Sequence, residues 1–201
     1  KLMQQVLDNE QGTVGLKLLP FVDEPGITYN YRVTFEDGTG EVIREEMLPV
    51  FVDSVHKDPQ NRLGQQVIEG DSIKGTPEDG HLRALLDQEP ELRTAADRYV
   101  SQRVDSLKDE LSQRRHTETQ QELDDLEAYA EAERERIETF IRDYKRKAEG
   151  GTNMDLSIRR QRTRLSKLED RIEKRRCELQ RKAQVISLAP EVENLCLTVP
   201  I

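Results

Sequence analysis

The spacing of apolar positions changes along this chain from two to seven and back to two, and the changes predict its layout. Residues 13–22 (TVGLKLLPFV) and 28–36 (TYNYRVTFE) have strand character. In the second, Tyr29, Tyr31, Val33 and Phe35 alternate with Thr28, Asn30, Arg32 and Thr34, a period of two that puts the aromatics on one buried face. Glu36-Asp37-Gly38-Thr39 follows, and Asp-Gly between alternating runs is a hairpin signal, so Val42 to Leu48 is expected to pair back. Pro49 should interrupt that return and leave 50–55 (VFVDSV) as a further short strand, an edge strand if Pro49 belongs to it. Tyr29 and Tyr31 are expected as the core of a small sheet. A base-stacking platform would interleave its aromatics with basic residues.

Residues 57–75 are rich in Gly, Asp, Asn and Gln, with Val67-Ile68 as an apolar pair, and predict a connector. Thr76 then suits an N-cap, with Pro77 at the first helical position and Asp79 three residues after the cap. A short helix through Leu82, Leu85 and Leu86 would follow, and Pro90 can kink it or begin the next.

From Leu92 the apolar residues take helical spacing through Ala96, Tyr99, Val100, Val104, Leu107 and Leu111. Residues 112–122 offer none, and the stripe resumes at Leu123, Leu126, Ala130, Ile137, Phe140 or Ile141, and Tyr144. If unbroken, Glu91 to Ala148 is a rod of about 87 Å. Gly150-Gly151 should stop it, and Thr152 should cap a second helix with Asp155 at N3.

In that second helix Ile158, Leu165, Ile172, Leu179 and Ile186 repeat every seven residues, while the companion seam holds Gln161, Leu168, Arg175 and Lys182. One apolar seam predicts a two-helix contact. Folding about residue 152 pairs position i with about 304 minus i, setting Leu165 beside Phe140, Ile172 beside Glu133 and Leu179 beside Leu126. Ala189-Pro190 ends the helical pattern, and 194–200 (NLCLTVP) predicts a strand that needs a partner, the N-terminal sheet being nearest.

The expected fold is therefore α+β. Residues 1–56 form a small antiparallel β-rich base, and 57–90 a connector with a short helix. Residues 91–186 form a protruding antiparallel coiled-coil hairpin with its tip at 149–153, and 187–201 hold a C-terminal strand returning to the base. The stripe from Leu92 to Leu111 lies beyond the reach of the second helix and offers a surface for the base, an absent domain or a homodimer.

Composition sharpens this layout. Aromatic residues are only 4% and charged residues 35%, so a large globular core is excluded while elongated helices burying one stripe are favoured. The net charge of −9 argues against a generic high-pI nucleic-acid module. Charge is segregated, however: residues 1–90 carry 17 acids and 8 bases, whereas 156–185 carry 4 acids and 11 bases. A basic second helix thus faces an acidic distal first helix, a pattern that favours antiparallel pairing and speaks for register more than for stability. Cys177 and Cys196 have neither metal-ligand spacing nor a disulfide-dense setting, which fits reduced thiols in a cytoplasmic protein. No apolar run approaches the roughly 20 residues of a membrane span. The chain opens at Lys1 in mid-pattern without an initiator Met, as an excised fragment would.

No phosphate loop, GxGxxG turn, HExxH or paired CxxC occurs, and His56, His81 and His116 are scattered. No catalytic, cofactor-binding or metal-binding residue is expected. The one cluster with functional promise is Arg159, Arg160, Arg162 and Arg164, followed by Arg171, Lys174, Arg175 and Arg176. These side chains either pair with the acidic first helix or face outward to a nucleic-acid backbone or an acidic protein.

Three segments, 40–53 (GEVIREEMLPVFVD), 155–165 (DLSIRRQRTRL) and 188–201 (LAPEVENLCLTVPI), together resemble the C-terminal region of bacterial and archaeal Snf-type, RapA-like superfamily II helicase-related ATPases. In that family two RecA-like motor lobes precede a β-containing extension and a charged helical region. The resemblance implies a non-catalytic accessory domain, in the cytoplasm, whose hairpin contacts duplex nucleic acid or a partner, or positions the parent's ATPase lobes. ATP and Mg would belong to the parent motor, outside these residues. The alternative is a structural coiled-coil adaptor or dimerisation protein with no nucleic-acid role.

Overall fold

The structure, a computed structural model, describes residues 13–71 and 79–200. In chain order these form β1 (Thr13–Leu18), β2 (Gly26–Asp37), β3 (Val42–Asp53), β4 (Pro59–Gln60), α1 (Asn61–Glu69), α2 (Asp79–Glu149), α3 (Asp155–Lys182), β5 (Val185–Ser187) and β6 (Glu191–Val199). The fold is α+β. The chain divides into two compact units, one of Lys1–Glu36, Val42–Asp109 and Ile186–Ile201, the other of Asp37–Glu41 and Glu110–Val185.

The first unit is built on a mixed sheet of order β1-β6-β2-β3-β4, with β5 also on β2. The C-terminal strand does return to it, and takes an inner position: β6 runs parallel to β1 and antiparallel to β2. As the alternation predicts, Tyr29, Tyr31, Val33 and Phe35 are buried together on one face. Their hydroxyls still find partners on α2: Tyr29 donates to the Glu89 carbonyl at 3.2 Å and Tyr31 to Asp97 Oδ1 at 2.6 Å. Burial, then the neighbouring carboxylates, pushes both phenols above their usual range.

The opposite face carries a second core of Leu19, Val22, Phe51, Val67 and Cys196, with Leu63 against it. Val67 and Leu63 come from α1, so residues 57–75 are not the bare connector expected: a two-residue strand and a nine-residue helix lie there. The helix reaches the backbone of β3 because residue 64 is glycine; a Cβ there would sit 2.6 Å from the Pro49 carbonyl oxygen.

Pro49 does not break the return strand either, and β3 runs unbroken from Val42 to Asp53. The Pro49 carbonyl accepts from Asn61 Nδ2 at 2.7 Å, so the backbone groups of this residue point away from β2. The missing N–H therefore costs no ladder bond.

The long helix begins earlier than expected, and Pro90 lies inside it. Buried Leu85 and Leu92 flank the proline, and the Tyr29 hydroxyl holds the carbonyl just before it. Packing overrides a break that costs roughly 3 kcal/mol in an isolated helix. The cap expected at Thr76-Pro77 lies outside the described residues. The helix is also continuous through 112–122, where Arg114 pairs with Glu118 and Gln120 with Asp124 at one-turn spacing.

Leu92, Ala96, Val100, Val104 and Leu107 are all buried within the chain. Of the stripe for which the base, an absent domain or a second copy was expected, these five residues are covered by the chain itself, and Leu111 is half-buried.

Candidate nucleic-acid interface

The second unit contains the basic cluster, and its geometry starts at the turn between the two long helices. Gly151 has φ +89°, its N–H bonds to the Ala148 carbonyl at 3.0 Å, and the Thr152 N–H reaches the Lys147 carbonyl at 3.2 Å. These two bonds make a Schellman cap, for which glycine at the left-handed position is the favoured residue. Thr152 therefore serves the end of α2 with its backbone and does not cap α3. The N-cap of α3 is Met154, with no side-chain capping bond.

The same cap shifts the pairing. Ion pairs between the arms join Arg134 to Glu169, Arg164 to Glu133, Arg175 to Glu122 and Arg176 to Glu127. Paired numbers add to between 297 and 303, below the 304 expected from folding about residue 152. Because the connector doubles back along the last turn of α2, α3 lies about one turn out of the expected register, the mean of the sums being 300. The apolar seam becomes Ala130, Ile137, Leu168 and Ile172, flanked by Leu126, Ile141 and Leu165. Phe140, expected opposite Leu165, is exposed and stacks on Tyr144 instead.

The expected basic residues divide into two sets. Arg164 holds Glu133 at 3.0 Å, Arg175 holds Glu122 at 3.4 Å and Glu178 at 3.0 Å, and Arg176 holds Glu127 at 2.7 Å and Glu173 at 3.1 Å. Arg171 donates to the Tyr129 hydroxyl at 3.1 Å, its guanidinium 6.0 Å from the ring centroid. These four serve the acidic arm. Arg159, Arg160, Arg162 and Lys174 are exposed and form no ion pair among the described residues.

The strongest link between the arms involves a residue not singled out from the sequence. Arg134 makes a two-pronged contact with Glu169, at 2.7 and 3.2 Å, and a further one with Glu127 at 3.1 Å. The Arg134 hydrogen bonds hold both carboxylates below the usual range, with Arg176 adding to the effect. Its signal was the first base after a stretch, 118–133, that holds acids and no Lys or Arg. The run Lys145-Arg146-Lys147 at the end of α2 was likewise passed over, because that arm was weighed by its acidic average; all three are exposed.

At the other end of α3, the β2–β3 turn caps the helix. The Gly38 N–H donates to the Arg181 carbonyl at 3.0 Å, and a Cβ on Gly38 would meet that oxygen at 2.6 Å. The turn is shaped by Asp37, whose Oδ1 accepts from the Thr39 N–H at 2.8 Å, the Thr39 hydroxyl at 2.5 Å and the Glu41 N–H at 3.2 Å. Burial pushes the Asp37 carboxyl up, but these bonds and the Arg115 charge outweigh it and hold it below the usual range. Between the turn and the helix lies an open groove of about 300 Å³, lined by Thr39, Glu173, Lys174, Cys177, Glu178 and Arg181.

Among the described residues no group of three metal-ligating side chains comes together, and no helix is long and apolar enough to cross a membrane. Cys177 is exposed and Cys196 buried, both unpaired. A scan against models of known protein families matches none, and a search of the curated proteins finds no relative.

Proposed function

We propose that this chain is a non-catalytic accessory domain of a Snf-type translocase and that its hairpin contacts nucleic acid through the outward basic side of α3. The observation that carries this reading is the division of the basic cluster. Arg164, Arg171, Arg175 and Arg176 are consumed by the acidic arm, while Arg159, Arg160, Arg162 and Lys174 stand exposed without an acidic partner among the described residues. Bases needed only to hold the hairpin would all face the seam. Cations left outward keep their full charge for phosphate oxygens, and arginine adds a planar fork that matches them.

The three segments that resemble the Snf-type family fall on β3, the start of α3 and β6 with the residues beside it. They thus span both the sheet and the hairpin. ATP hydrolysis and Mg binding are assigned to motor lobes outside these residues, and the domain's part is to hold or orient the track on which the motor acts.

The test is a mobility shift with labelled duplex. The chain should retard the duplex at low salt, less so as salt rises. Reversing Arg159, Arg160 and Arg162 to Glu should abolish the shift while leaving helical content unchanged. A chain that leaves duplex free at the lowest salt would remove the nucleic-acid part of the proposal.

A further inference from the structure

Arg160, Lys167, Lys174 and Arg181 are spaced by seven residues without error. All four are exposed, and none forms an ion pair among the described residues. They lie two places after Ile158, Leu165, Ile172 and Leu179, the seam repeat, and so occupy one outward line along the hairpin arm. The bases at the positions turned toward the other arm, by contrast, are engaged from Arg164 onward. Lys167 and Arg181 belong to this line although neither stood in the sequence cluster.

We infer that this line is a phosphate-tracking surface for duplex nucleic acid, a statement that rests on the function proposed above and names its contact residues and substrate form. Successive cations stand about 10.5 Å apart and the line spans about 32 Å. Those steps approach the major-groove width of about 12 Å and the helical turn of about 34 Å, so a straight arm laid along a duplex meets successive phosphate ridges. The line carries no aromatic residue, which removes the stacking platform that single strands need. It carries no amide or carboxylate for reading adenine or cytosine edges, and its four cations are spaced for the backbone, so phosphate contacts dominate the binding. Asp170 lies between Lys167 and Lys174 at one-turn spacing from both, and weakens the attraction locally.

The experiment measures duplex affinity of the whole 201-residue chain against salt, with a duplex of about 20 base pairs, roughly two turns. Changing Lys167, Lys174 and Arg181 together to Gln spares Arg160 and leaves the Gly38 bond to the residue 181 backbone in place. Each lost phosphate contact lowers the slope of log affinity on log salt by about 0.9, so the triple variant loses about 2.7 in slope and each single variant about eightfold in affinity at 0.1 M salt. Asp170→Asn should bind more tightly than the parent. Arg171→Gln with Arg175→Gln, the seam-facing control, should keep the parental slope.

A parent chain that binds no duplex at low salt overturns the preceding proposal and this one with it. A parent that binds, with a triple variant of unchanged slope and unchanged circular dichroism, overturns only the line. A single strand of equal length bound more tightly, or polyglutamate competing as well as duplex charge for charge, overturns the duplex assignment in favour of a strand or an acidic protein.

Discussion

The two units of this protein are held by different physics. In the first, buried side chains fill both faces of a sheet, and the buried phenols are paired, Tyr29 with the Glu89 backbone and Tyr31 with Asp97. The Thr28 and Thr198 hydroxyls are buried without a partner among the described residues. In the second, four buried residues make the seam and a chain of exposed ion pairs aligns the arms around them. Burial of apolar area is worth roughly 25 cal/mol per Å², whereas an exposed pair contributes little and is screened by salt. The first unit is therefore specified by packing, and the second by register, with surface cations left over for other work.

The largest expected effect tests the packed unit. Phe35→Ala, at a fully buried position, should cost about 3–5 kcal/mol in urea unfolding. Ile172→Ala in the seam should cost less, about 2–3 kcal/mol, because half-exposed Leu126, Ile141 and Leu165 let the site collapse or admit water. Equal costs would end the contrast. Tyr31→Phe, which removes only the bond to Asp97, should cost about 1.5 kcal/mol in the same measurement.

Acid should act on both units through two turns of the same design. Asp53, like Asp37, is pushed up by burial but held below the usual range by backbone N–H bonds, here from His56, Asp58 and Val55. A folded value below the unfolded one means that stability is complete above about pH 4 and is lost as pH falls through the folded value. Asp53→Asn should flatten the acid limb of stability against pH, and Asp37→Asn should do the same for the hairpin's helical signal. The smallest effect is expected for Arg134→Gln: a lower melting midpoint at 10 mM salt that merges with the parent's at 1 M, where the screening length is about 3 Å.

The elements with a strict period were legible in the sequence. The β2 alternation, the heptads of α3 as far as Leu179 and the returning C-terminal strand are where the pattern puts them. Ile186, expected as the last seam residue, lies beyond the end of α3 on β5 and is exposed. What stayed hidden depended on partners distant in sequence. Pro49 reads as a breaker because its unused side of the strand is visible only once Asn61 is in place, and Pro90 as a kink or a helix start because the Tyr29 and leucine contacts around it come from elsewhere in the chain. Helix α1 presents just Leu63 and Val67 to the core, too short a stripe to announce itself. The hairpin register was missed because two glycines and a threonine closed the helix with backbone bonds, where a side-chain cap had been expected. Half of the candidate site was legible as a cluster of bases, but its line was not: Lys167 and Arg181 lie outside the two runs of that cluster and join the others only when positions are compared seven apart.

The placement of β6 bears on how this protein emerges from the ribosome. Strand β1 is translated long before β6, yet β6 is its partner among the described residues. Until residues 191–199 are released, β1 has no ladder and β2 shows a bare edge toward the gap. The hairpin, whose contacts are complete by Lys182, can zip up while that sheet is still waiting, so the last nine-residue strand acts as the latch of folding. A nascent chain stalled before it carries an intact outward basic line on an unfinished base, with two sticky strand edges for chaperones to guard.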